Sequence, residues 1–344
     1  MKIKSIECEI KLIPLKTPFI TALRRVENVE FVRVRMECEN GLVGIGEAPA
    51  TKAITNEDIY DIMSSVWKVE DSLIAQNLEE SLSILHSNCE IGSSAKASLD
   101  MAIVSLLAQQ KNQKLYEYFG AKKPVKLKTD ITISYKKVHE MVEDSRVAIS
   151  NGMDILKVKL ADDIKHAIDA TRSIATIFPD AKLIIDANQA WSVEDSFKYI
   201  DSVADIKVEL IEQPVIAKDI AGLKTITEKS HIPILADETV FTLEDAKKVI
   251  ESKSADMINI KLMKCGGLTK AVEILEYAKE QGVKCMLGSM LEGPYSIDAA
   301  LHLAMAYTDV IKYIDLDSPL LYKEPLENQE FMFNKNEITY KEVE

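Results

Sequence analysis

A chain of 344 residues can bury a large core and suits one large domain with a smaller companion. Its 47% hydrophobic and 28% charged residues are those of a soluble globular protein. A formal net charge of -13 argues against nucleic acid or an anionic membrane as partner, although it says nothing of the local charge in a pocket.

Residues 1–14 and 29–38 alternate apolar with polar, and Asn40-Gly41 turns the second run into Leu42–Ile45, which predicts an antiparallel sheet. Met1 to Ser5 begins that strand pattern and lacks the apolar core of a signal peptide. Between the strands, Thr17 to Arg25 reads as a turn-rich loop. Residues 57–119 read as helices, with Leu99, Ile103 and Leu106 on one face. Residues 1–121 are thus expected to form an α+β unit, with Ala121–Pro124 as its boundary.

From Val125 the texture changes. Strand-like runs fall at Leu127–Ser134, Ile155–Leu160, Leu183–Asp186, Val208–Ile211, Ile234–Ala236, Met257–Ile260, Val283–Leu287 and Ile311–Ile314, with a helical segment between consecutive runs. Ser192 and Thr242 read as N-caps. Eight strands and seven helices predict a modified TIM barrel, (β/α)7β, of α/β class over residues 122–320. An open doubly wound sheet is the alternative, but no Gly-x-Gly-x-x-Gly follows a strand. Residues 321–344 carry strand-like fragments expected to return to the amino-terminal sheet of the cap. No apolar run is long enough to span a bilayer. The five cysteines are scattered and odd in number, giving neither a disulfide framework nor a zinc site. A cytoplasmic protein is expected, with homo-oligomerisation left open.

Several runs end in charged clusters, and in a parallel barrel the carboxyl ends of the strands share one mouth. Asp186, Glu212 and Asp237 end three successive runs. Singly, each could be a loop acid paired with a lysine. Together, an all-oxygen set suits Mg2+, with Mn2+ as the alternative. Lys157 and Lys159 leave the same face of one strand, and Lys261 ends a run on the far side of the barrel. A lysine beside a metal and other cations is expected to have a lowered pKa and to serve as a base. Asp315 and Asp317 end the eighth run and read either as a surface turn before Pro319 or as a binder of an ammonium. The histidines show no ligand spacing.

In combination these clusters resemble the enolase superfamily, in its muconate-lactonising subgroup, and within it the dipeptide epimerases. The likeness is carried by Thr21-Ala22-Leu23-Arg24, Gly46-Glu47-Ala48-Pro49 and Ile54-Thr55 in the cap. In the barrel it is carried by Lys157-x-Lys159, Asp186-x-Asn188-Gln189-x-Trp191, Glu212-Gln213-Pro214, Asp237-Glu238, Asn259-Ile260-Lys261-Leu262-Met263-Lys264 and Asp315-x-Asp317. The resemblance implies Asp186, Glu212 and Asp237 as ligands of Mg2+, and Lys159 and Lys261 as the two acid/base lysines. It implies Lys157 as a cation near the substrate carboxylate and Asp315 and Asp317 as holders of a dipeptide's ammonium. Arg24 would meet the acidic side chain of the second amino acid, and Thr132, Ile54 and Ser289 would complete the substrate contacts. The implied activity is epimerisation of dipeptides such as L-Ala-D/L-Glu, in murein peptide metabolism. Glu292-Gly293-Pro294-Tyr295-Ser296 departs from the expected pattern after strand seven. The alternatives are a racemase of N-acylamino acids or an o-succinylbenzoate synthase, a pyridoxal-phosphate barrel enzyme with Lys159 as Schiff base, and a non-catalytic protein on this scaffold.

Overall fold

The structure, a computed structural model, describes residues 1–20, 25–324 and 329–341. Strands β1 (Ile3–Ile20), β2 (Arg25–Cys38) and β3 (Val43–Pro49) form an antiparallel sheet in that order. The expected loop from Thr17 is instead the end of β1, where Phe19 pairs with Val26 and Ile20 with Arg25. Pro14 and Pro18 masked this. A proline cannot donate to a ladder, yet β1 is an edge strand and the register shifts between Pro14 and Phe19. Helix Ser93–Gln110 lies across this sheet and is buried on more than the one predicted face. Gly44 and Gly46 make the approach close, because a Cβ at either would overlap the carbonyl oxygens of Ala102 and Ser98.

The barrel strands are β5 (Ile131–Ile133), β6 (Ile155–Lys159), β7 (Lys182–Asp186), β8 (Val208–Glu212), β9 (Ile234–Ala236), β10 (Met257–Lys261), β11 (Lys284–Gly288) and β12 (Ile311–Asp315). They are parallel and hydrogen-bonded in chain order. A helix of ten residues or more fills each of the seven gaps. Asp130 N donates to Ile314 O at 3.2 Å and Leu316 N to Thr129 Oγ1 at 3.1 Å, which closes the seam between β5 and β12. Ser192 and Thr242 cap their helices as predicted, accepting from Asp195 N and Asp245 N.

Two further expectations need correction. Leu127–Ser134 is not one strand: β4 (Leu127–Lys128) pairs antiparallel with the tail, and only Ile131–Ile133 enters the barrel. The tail strands β13 (Phe331–Asn334) and β14 (Glu337–Tyr340) accordingly pair with each other and with β4, not with the amino-terminal sheet. The tail meets the cap through packing, with the rings of Tyr340 and Tyr116 5.4 Å apart.

The alternation of side chains in the barrel positions the site. Ile184, Leu210, Leu235, Met257, Met286 and Tyr313, with Ile155 beside them, form one apolar cluster inside the barrel. Two residues further along each of those strands, on the same face, stand Lys157, Asp186, Glu212, Asp237, Asn259, Gly288 and Asp315. An apolar floor therefore carries a charged ring at its carboxyl-terminal side.

Candidate active site

The ring is a network of buried ion pairs. Lys157 Nζ lies 2.6 Å from Asp315 Oδ2, 2.7 Å from Glu212 Oε2 and 3.3 Å from Asp186 Oδ2. Lys159 Nζ meets Asp186 Oδ2 at 2.5 Å, and Lys261 Nζ meets Asp237 Oδ2 at 2.6 Å. Lys264 donates to Asp237 Oδ1 at 2.5 Å and to Asn259 O at 2.9 Å, while Asn259 Nδ2 donates to Glu212 Oε1 at 2.8 Å.

The backbone just beyond the acids is strained. Asn188, Gln189 and Gln213 have φ of 45°, 69° and 39°, each costing on the order of 1–3 kcal/mol unless held by its surroundings. They are held. Asn188 N donates to Asp186 Oδ1, and Gln189 N to Gln213 O. The Gln213 side chain accepts from Asp237 N and Thr239 N and donates to Val215 O, tying the end of β8 to that of β9. The Asp-Ala-Asn-Gln and Glu-Gln-Pro segments are thus the turns that aim the acids.

The electrostatics follow from burial and proximity. Against burial, Lys159 and Lys157 hold the Asp186 carboxyl below its usual range, and Lys261 and Lys264 hold that of Asp237 well below it. Burial and then Asp186 push Glu212 up to about 7; burial and then Asp237 push Glu238 up to about 8. A lowered pKa was expected for a base lysine. Instead, against burial, contact with Asp237 raises that of Lys261.

Seven buried carboxyl groups (Asp130, Asp186, Glu212, Asp237, Glu238, Asp315, Asp317) face four buried lysines (Lys157, Lys159, Lys261, Lys264). This imbalance suits a site that receives cations. Among the described residues, Glu238 Oε2 is buried without a hydrogen-bond partner, and Glu212 Oε2 has only the ion pair with Lys157. Carboxylate oxygens from three adjacent strands fit Mg2+ or Mn2+. Among the described residues, however, the set of three acids whose oxygens all lie within 4.8 Å is Asp130, Asp315 and Asp317.

A cavity of about 60 Å³ opens above the ring. Lys159, Lys261, Asp237, Asp315, Asp317, Thr132, Ile54 and Ser289, all singled out from the sequence, line it. Asp186 and Glu212 lie beneath, with no exposure. Lys157 is equally enclosed and does not line the cavity; its ammonium bridges Asp315 to Glu212 and Asp186 rather than facing the open space. Arg24 lies outside the described residues. The wall also contains Asn188, Glu238, Met290, Leu291, Ala53 and Phe19, to which sequence reasoning gave no role. Glu238, adjacent to Asp237, could have been found by position; nothing local marks Phe19 or Met290. Glu292 serves structure: it accepts from Met290 N and from the Ser296 hydroxyl, and burial pushes it up to about 7.

Residues 5–120 match the family model for the mandelate racemase/muconate lactonizing enzyme N-terminal domain, and residues 140–342 that for the enolase C-terminal domain-like fold. The chain is 60% identical to an L-amino acid-D/L-Glu epimerase of Sulfurimonas denitrificans, over 98% of this chain and 99% of that one. The solved structure of a substrate-liganded complex of the L-Ala-D/L-Glu epimerase from Bacillus subtilis is 38% identical, with a TM-score of 0.95 over 99% of this chain and 97% of that one. A dipeptide epimerase from Enterococcus faecalis, complexed with Mg and L-Leu-L-Tyr, is 32% identical, with a TM-score of 0.93 over 100% of this chain and 98% of that one.

Proposed function

The chain belongs to the mandelate racemase/muconate lactonizing enzyme family of the enolase superfamily, and from this premise we propose that it is a dipeptide epimerase acting on L-Ala-D/L-Glu and related dipeptides. The observation that carries this reading is the placement of four groups around the barrel. The acids end β7 and β8 and follow directly on β9, centred on β8; the Asp315/Asp317 pair lies at the end of β12, four strands away. Lys159 on β6 and Lys261 on β10 are also four strands apart, midway between those poles. In an eight-stranded barrel, four strands is the opposite side. A dipeptide stretched from an ammonium at Asp315/Asp317 to a carboxylate over the acids has its second α-carbon between the two lysines.

Asp186, Glu212 and Asp237 would hold a divalent cation, Mg2+ by the likeness to the Mg complexes and Mn2+ by donor chemistry. When bound, such a cation stabilises the second negative charge that loss of the α-proton places on the substrate carboxylate. One lysine takes the α-proton from its face, and the other returns a proton to the opposite face, inverting the centre. Lys157 holds the two poles together, its ammonium touching Asp315 at one end and Glu212 at the other. Thr132 N donates to Asp317 Oδ2 at 2.7 Å, which fixes that carboxylate for the substrate ammonium. Phe19, Ile54, Met290 and Leu291 exclude water around the reacting carbon. Arg24 is assigned the acidic side chain of the second residue, and the physiological setting is cytoplasmic recycling of murein peptides.

The test is proton NMR of a dipeptide library incubated with the protein in D2O, with and without chelator. The expected result is metal-dependent exchange at the α-carbon of the second residue, strong for free dipeptides and weak after acetylation of the ammonium. Equal exchange of free and acetylated substrates would favour the N-acylamino acid racemase reading instead.

A further inference from the structure

The closure seam of the barrel holds a carboxyl group that this mechanism leaves unused. Asp130 lies between β4 and β5, its amide donating to Ile314 O. Its side chain is 1% exposed, and neither carboxyl oxygen meets a hydrogen-bond donor among the described residues. One oxygen from each of Asp130, Asp315 and Asp317 lies within 4.8 Å of the others. The charged groups facing it are Asp315 and Asp317 from the end of β12 and Lys157 from β6. Asp315 and Asp317 line the cavity and Asp130 does not, so it stands behind them.

A buried carboxylate without a donor is costly, and three ionised ones beside a single lysine cost more. That lysine is already shared with Glu212 and Asp186. One proton resolves both problems, because two carboxyl groups can share a hydrogen bond only if one of them is protonated. Burial and then Asp315 push the Asp130 carboxyl well above the usual carboxylate range. Asp315 moves the other way, held below it by Lys157 against burial.

We propose that Asp130 is a positioning residue of the ammonium site: it carries a proton at neutral pH, donates it in a hydrogen bond to Asp315, and leaves two ionised carboxylates aimed into the cavity. The inference rests on the ammonium-binding reading of Asp315 and Asp317 given above. With Asp130 neutral, Asp315, Asp317 and Lys157 leave a net charge of minus one, which a single ammonium neutralises. With Asp130 ionised, the same pocket would carry minus two and suit a divalent metal.

The experiment compares Asp130→Ala and Asp130→Asn in the full chain. D130A should raise KM for a free dipeptide about tenfold or more, the scale of one lost hydrogen bond to a charged group, with kcat little changed. D130N should restore KM, since its amide donates the same bond. The infrared difference spectrum of wild type minus D130N at neutral pH should contain the carbonyl band of a protonated carboxyl group. Wild-type KM in D130A, a D130N as impaired as D130A, or a difference spectrum without that band would each overturn the proposal. Should D130A fail to fold, D130N and the spectrum still decide. A wild type that epimerises no dipeptide refutes the functional reading, and the band alone then decides whether Asp130 carries the proton.

Discussion

Glu47 joins the cap to the barrel, and its removal should loosen both. The side chain has no exposure, yet one oxygen takes Arg33 Nε at 2.8 Å and its guanidinium NH2 at 2.7 Å. The other accepts from Tyr295 N at 2.9 Å and Ser296 N at 3.3 Å, in the first turn of helix Pro294–Ala306. One carboxylate thus neutralises a cap arginine and caps a barrel helix. Breaking a buried pair by deleting one partner costs about 3–5 kcal/mol. Arg33 is about a quarter exposed and can turn to water, which favours the lower end, while the two helix amides lose their acceptor. For Glu47→Ala we expect about 3–4 kcal/mol, and at roughly 2 °C per kcal/mol for a large domain a fall in Tm of about 6–8 °C. Glu47→Gln, which keeps an acceptor but loses the charge, should fall about half as far. Thermal unfolding followed by circular dichroism at one scan rate reads both values. Since Phe19, Ala53 and Ile54 bring the cap to the cavity wall, KM should rise as well. If both variants melt within about 1 °C of wild type, the clamp is not what joins the two parts.

Asp317→Asn should separate stability from function. Burial and then Asp315 raise that carboxyl from 3.8 to about 6, so its ionised form costs the free protein on the order of 3 kcal/mol, absent at pH 4 and fully present above about pH 6. The amide keeps an acceptor for Thr132 N, so D317N should melt no lower than wild type at pH 8 while losing activity on free dipeptides; a lower Tm there contradicts the account. Arg24→Ala should impair dipeptides ending in Glu more than those ending in a neutral residue, read as the ratio of kcat/KM values. Asp186→Asn, Glu212→Gln and Asp237→Asn should each lower metal-dependent activity roughly a hundredfold or more with the fold retained by circular dichroism. Full activity in chelator-treated protein would remove the metal from the account.

Most of the barrel was legible because its strands are short apolar runs that each end in a polar or charged residue, with helical segments in the gaps. Where one run serves two sheets, the pattern is silent: Leu127 and Ile131 are both apolar, but one pairs with Ile338 and the other with Leu156. The tail's partner is hidden for the same reason, since by sequence β4 reads as part of the barrel. The charged ring was legible at Lys157, Asp186, Glu212, Asp237 and Asp315, because each ends or interrupts an apolar run at an inward position. The enclosure of Lys157 was not, because which carboxylates surround it depends on barrel closure across 158 residues of chain. Asp130 shares that difficulty: a lone acid at a strand junction reads as a turn until β12 is brought beside it.

The central claim is that Lys159 and Lys261 serve opposite faces of one carbon, and replacing each by alanine tests it most directly. Both variants should lose epimerisation in both directions, since every turnover uses both groups. Exchange need not vanish, because the remaining lysine can take a proton, exchange it with solvent and return a deuteron to the same face. Proton NMR of L-Ala-L-Glu and L-Ala-D-Glu, incubated separately with each variant in D2O, reads this at the α-carbon of Glu. The account predicts that Lys159→Ala retains exchange for one epimer and Lys261→Ala for the other. Loss of exchange for the same epimer in both variants would contradict it.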